Sequence, residues 1–71
     1  MKYAVVIEET GTGYSAYVPD LPGCVSTGST LAEVEDGISE AIGLHLQGMR
    51  SDGDSIPQPT TVVEMIAIEA A

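Results

Sequence analysis

Residues 13–33 read GYSAYVPDLPGCVSTGSTLAE, and the fold follows from how this stretch is punctuated. Tyr14, Ala16 and Val18 alternate with Ser15 and Tyr17, the period-two pattern of a strand with one face on a core. Pro19 and Pro22 lack backbone donors and Gly23 tolerates backbone conformations closed to other residues, so Pro19-Asp20-Leu21-Pro22-Gly23 is a loop that ends the ladder. Cys24 to Gly28 then leaves room for a short third strand only. Thr30, with Glu33 three residues on, is a capping box that starts a helix.

Upstream, residues 2–8 form a first strand: Tyr3, Val5 and Ile7 alternate with Ala4, Val6 and Glu8, and both faces are apolar. Gly11-Thr12-Gly13 joins it to the second strand as a hairpin. Downstream, Leu31, Val34, Ile38, Ala41, Ile42, His45 and Met49 recur at three and four residues and trace one stripe of a helix running to about Arg50. Gly37, Gly43 and Gly48 each weaken that helix by about 1 kcal/mol relative to alanine, so packing must hold it, and close approach to the sheet is one reason for them. Arg50 suits the helix dipole and Ser51-Asp52-Gly53-Asp54 closes the element. Ile56-Pro57-Gln58-Pro59 is an extended connector to a last strand, Thr60 to Glu69, with Val62, Ile66 and Ile68 on one face and Val63, Met65 and Ala67 on the other. The predicted fold is α+β: a small β-β-β-α-β domain over residues 1–71, with a mainly antiparallel sheet and one helix packed on one face. The uncovered face makes self-association through the sheet or its edges the expected state, ahead of a monomer.

Composition narrows the function. At 71 residues, 44% hydrophobic and 4% aromatic, the chain has one thin core of aliphatic side chains and no Trp or Phe. A chain of this size buries only about 60% of the surface it exposes when unfolded, a second reason to expect a partner. Eleven Asp and Glu face Lys2 and Arg50 alone, for a net charge of −9. Such a surface repels phosphate backbones and anionic membranes, which excludes direct nucleic-acid binding and membrane docking as functions. A basic protein is the fitting partner, since opposite potentials speed encounter; the alternative is that the charge serves solubility alone. The N-terminal apolar run, Ala4 to Ile7, is too short for a signal-peptide core, and no run reaches the length of a membrane span. With Cys24 as the single cysteine, no internal disulfide can form and a reducing, cytoplasmic location is expected.

Motifs for chemistry are weak. Gly11, Gly13 and Ala16 match a dinucleotide fingerprint on paper, but a strand and not a helix follows. His45, the only histidine, lies on the apolar stripe of the helix, where a packed ring is the simpler reading than a general base. Cys24 reads as small buried filler; an activated thiol needs a cation or helix N-terminus beside it. Glu8, Glu9, Asp20, Glu33, Glu35, Asp36 and Glu40 would have to converge to hold a nuclease's metal ion, and nothing in their spacing forces this. No enzyme activity, catalytic residue, metal site or cofactor is expected.

The run Gly13 to Cys24, the block P-D-L-P-G-C within it, and Gly28-Ser29-Thr30-Leu31 opening a helix through Ala41-Ile42 resemble the HicB antitoxin family over the whole chain. That resemblance implies a partial ribonuclease-H-like fold without the nuclease's active site. It implies an antitoxin that neutralises a small, basic, mRNA-cleaving toxin of the HicA type by covering its active surface. Complete family members carry a C-terminal helix-turn-helix or ribbon-helix-helix module for operator DNA; here the chain ends at Ala71, so no such module and no DNA binding of its own is expected. The residues expected to contact the partner are Glu8, Glu9, the loop Asp20, Leu21, Pro22 and Gly23, and the helix acids Glu33, Asp36 and Glu40. The loop has a second reading, in which Pro22 and Gly23 only shape the turn and Leu21 plugs its own core. A free-standing oligomeric interaction or regulatory module without a toxin is the alternative function.

Overall fold

The computed structural model describes residues 1–70. The stretch around Tyr14 becomes the middle of a three-stranded antiparallel sheet, ordered β1 (Val6–Glu9), β2 (Tyr14–Tyr17) and β3 (Val25–Gly28). Ile7 stands opposite Ala16 and Ala16 opposite Ser26, while Val6, Tyr17 and Val25 form the neighbouring row. Because side chains alternate, Ala16 points to the core and the Val6-Tyr17-Val25 row to the other face, where Tyr17 and Val25 are exposed. β1 is shorter than the strand expected at 2–8. Continuing its register would set Ala4 against Pro19, which has no amide to donate to β1.

The helix, α1 (Leu31–Ser51), begins where the capping box places it. Thr30 is the N-cap, its Oγ1 accepting the Glu33 amide at 3.1 Å. Glu33 reaches back, its Oε2 accepting the amide of Ser29 at 2.8 Å. Caps of this kind are worth about 1 kcal/mol. A 21-residue helix is roughly 31 Å long, whereas a four-residue strand spans roughly 13 Å, so only part of the helix can rest on the sheet. Val34 and Ile38 are buried; Ala41, Ile42 and Leu46 pack at the core's margin, and Leu31 and Leu44 are exposed. The helix lies over β3 and β2 and leaves β1 without a roof.

The core is correspondingly small: Ala16, Val18, Leu21, Cys24, Val34 and Ile38, flanked by Tyr3, Val5, Ile7 and Tyr14. Of the three helix glycines, Gly37 does sit against the sheet, where a Cβ would lie 2.3 Å from Ser26 Oγ; Gly43 and Gly48 face open space. Among the described residues no helix is long and apolar enough to cross a membrane.

The strand expected at Thr60–Glu69 does not join this sheet. Residues 54–70 run without helix or strand, and Val62, Val63, Met65, Ile66 and Ile68 are 52 to 93% exposed. Two attachments explain the path. The Tyr3 hydroxyl donates to the carbonyl of Pro57, and Asp20 holds Thr60 and Thr61 beside the double-proline loop. Pro57 and Pro59 have no amides for a ladder, and beyond Thr61 the chain continues as an exposed arm without strand pairing. The radius of gyration is accordingly 14.1 Å, against about 11 Å for a compact chain of this length.

Candidate partner-binding surface

The register separates the expected contact residues into two groups. Glu8 and Glu9 end β1 at the hairpin, and the helix N-terminus with Glu33 lies at the same end, because Tyr14 pairs with Gly28 just before the cap. Thr10, Thr12, Tyr14, Thr27, Gly28, Ser29 and Glu33 line one open depression of about 530 Å³ there. Glu9 shares the helix-side face with Tyr14, and Glu8 the opposite face with Ser15 and Thr27. The loop Asp20–Gly23 is at the other end of the sheet. Glu33, Asp36 and Glu40, three and four residues apart, form an exposed acidic stripe along the helix between the two ends.

Two loop residues are not free to meet a partner as expected. Leu21 has no exposed surface and belongs to the core. Its amide donates to the carbonyl of Val18 at 3.1 Å, and its own carbonyl accepts the amide of Cys24 at 3.0 Å, so the loop folds inward to plug the sheet end. The Asp20 carboxylate is fully engaged within the chain. Oδ1 accepts the hydroxyls of Thr60 and Thr61 at 3.1 and 2.8 Å, and Oδ2 accepts their amides at 3.0 and 3.1 Å. Four donors fill the lone pairs of an ionised carboxylate. Pro22 and Gly23 remain on the surface, and Gly23 adopts φ +86, the left-handed conformation that the turn requires. Thr60 and Thr61 were invisible to pattern reading, since they meet Asp20 across 40 residues of chain.

These hydrogen bonds, first the amide and hydroxyl of Thr61, hold the Asp20 carboxyl below the ordinary aspartate range. Because the folded value is lowered, the clamp is intact at neutral pH and opens as pH falls through that lowered value. In an NMR titration Asp20 is expected to have its midpoint below that of free aspartate, with the Thr60 and Thr61 amide shifts following the same curve. Thr61→Val should move the midpoint upward. A carboxyl titrating like a free aspartate, with indifferent threonine amides, would show that the clamp is absent in solution.

Cys24 is buried, and desolvation pushes its thiol up, away from the reactive thiolate. His45 lies half-buried far along the helix from the hairpin depression. Among the described residues no group of three or more His, Cys, Asp and Glu is placed to hold a metal ion.

The family model of HicB-like antitoxins of bacterial toxin-antitoxin systems matches residues 3–70. This chain belongs to the HicB-like antitoxin family. Among its HicB-like relatives of known structure, a chain of the HicA3–HicB3 toxin-antitoxin complex superposes with a TM-score of 0.73 at 30% identity, covering 84% of this chain and 70% of that one. The HicB3 antitoxin alone gives 0.68 at 32% identity, over 80% of this chain and 42% of that one. An uncharacterised 14.9 kDa protein of Haemophilus phage HP1 is 39% identical over 66 residues, 93% of this chain and 50% of that protein. A UPF0150 protein of Synechocystis is 34% identical over 67 residues, 93% of this chain and 85% of the relative. The chain thus spans half the length of the phage relative and less than half of the HicB3 antitoxin chain.

Proposed function

We propose that this chain is the toxin-binding part of an antitoxin, and that it neutralises a small, basic, mRNA-cleaving toxin of the HicA type by covering its RNA-binding surface. The observation that carries the reading is the family match over residues 3–70, to which the likeness to a chain of the HicA3–HicB3 complex adds support. Physical chemistry supports it too. A ribonuclease must present cations where RNA lies, and a chain of net charge −9 with acids along one helix face is electrostatically complementary to that path. The contact surface in this reading comprises Glu33, Asp36 and Glu40 with Glu8 and Glu9 at the hairpin end, and the exposed Pro22 and Gly23 at the loop end. Leu21 and Asp20 act from inside, by holding that loop in shape.

The test is co-expression with the product of the adjacent reading frame, if that product is a basic chain of about 60 to 90 residues. The two should co-purify, and RNA cleavage by the toxin should stop at stoichiometric antitoxin. Replacing Glu33, Asp36 and Glu40 together by lysine is expected to weaken the complex on the order of a hundredfold, at about 1 kcal/mol per reversed charge. Binding by the unaltered chain should weaken with salt. No complex, or one indifferent to both salt and the triple reversal, would refute this surface.

A further inference from the structure

We propose that residues 62–69 are an exchanged strand: in a dimer, each protomer lays its arm along the β1 edge of a second copy. The proposal is independent of toxin binding.

The arm has the sequence of a strand and no sheet to belong to. Val62, Ile66 and Ile68 alternate with Val63, Met65 and Ala67, so each face is apolar but for one carboxylate, Glu64 on the first and Glu69 on the second, yet the large apolar side chains stand in solvent. Such a strand needs covering on two sides as well as a ladder for its backbone. Its own protomer does not supply these: residues 62–70 carry no strand pairing and their large apolar side chains stay exposed.

The sheet has the complementary vacancy. β1 is an edge strand, and the helix covers β3 and β2 but not β1. Its core-side residues Tyr3, Val5 and Ile7 are only partly buried, and Ala4 and Val6 present an apolar surface on the open face. An arm placed there would meet apolar side chains on both of its faces. Pairing of the two arms with each other alone would give a two-stranded ribbon with both faces wet, which is marginal at best.

Surface area argues for an occupant of this size. The chain exposes 5275 Å², whereas a folded monomer of 7.3 kDa exposes about 4,200 Å² by the scaling of surface with mass. The excess, about 1,100 Å², exceeds the roughly 800 Å² that each partner contributes to a specific interface. Glu64 and Glu69 are the only charges in the arm and the β1 edge from Tyr3 to Ile7 has none, so an arm laid along that edge meets no like charge on it. Reciprocal exchange about a two-fold axis satisfies both vacancies at once.

Size-exclusion chromatography with light scattering on the whole chain should give twice 7.3 kDa. Amides of residues 62–69 should be protected from hydrogen exchange. Because each protomer carries −9, screening should strengthen the dimer as salt is raised, the opposite of the trend for a toxin complex. Ile66→Asp places a charge in the apolar contact only in the dimer, and is expected to weaken it about a hundredfold and strip the protection, while the helical signal in far-UV dichroism is retained and only the arm's strand contribution is lost. A monomeric wild-type chain, a dimer whose arm amides exchange freely, or an Ile66→Asp dimer of undiminished affinity would each overturn the exchange. None of these outcomes bears on toxin neutralisation.

Discussion

Leu21→Ala is expected to destabilise the domain by about 3 kcal/mol and to lower its melting temperature by about 15 °C. Leu21 is wholly buried and is among the largest members of a core of only six buried residues. Truncation removes its transfer free energy and leaves a void that the surroundings cannot fill. Its neighbours in the loop are fixed by the Val18-to-Cys24 and Leu21-to-Val18 hydrogen bonds and by Pro19 and Pro22, so the backbone cannot settle inward. Urea denaturation at one fixed protein concentration reads the loss, the concentration being held because any association adds to apparent stability. The same variant separates the two readings of the loop. A core plug costs stability and leaves partner affinity per folded molecule intact. A partner-facing residue would do the reverse, and that result would contradict the burial described above.

Much of the fold was legible because its determinants are local. The hairpin, the double-proline loop and the capping box each lie within a few residues, and the structure places β2, β3 and the helix start where those signals put them. The acidic stripe Glu33-Asp36-Glu40 was legible for the same reason, since helical spacing alone aligns it. What failed depended on contacts distant in sequence. Thr60 to Glu69 has every local mark of a strand, but strand formation needs an edge to pair with, which no pattern within the segment reveals, and the contact that anchors it, Asp20 to Thr60 and Thr61, lies 40 residues back in the chain. For the same reason Asp20 looked like a surface acid available to a partner when its four acceptor positions are already filled. Leu21, an apolar residue between two prolines, has no periodicity to reveal which way it points, and only the inward fold of the loop decides it.

Gly28→Ala should cost about 2 to 3 kcal/mol, although it adds a single methyl group. Gly28 ends β3 just before the helix cap, and a Cβ there would lie 2.6 Å from the amide nitrogen of Val34 and 2.9 Å from Glu33 Cβ. Backbone cannot rotate away as a side chain can, so relief requires the first turn of the helix to lift from the sheet. That movement would pull Val34, which is fully buried, out of the core and strain the Thr30 and Glu33 cap. Gly37→Ala is the internal control. There the added methyl meets only the Ser26 hydroxyl, which can turn to another rotamer, while the helix gains about 1 kcal/mol of propensity, so the net change should be small. Measured side by side in urea, the two alanines should differ by at least about 2 kcal/mol, because the obstacle is backbone at one site and a mobile hydroxyl at the other. Equal stabilities would mean that the helix can rise at its N-terminus without loss, and the packing of Val34 against the sheet would then not be what sets the position of α1.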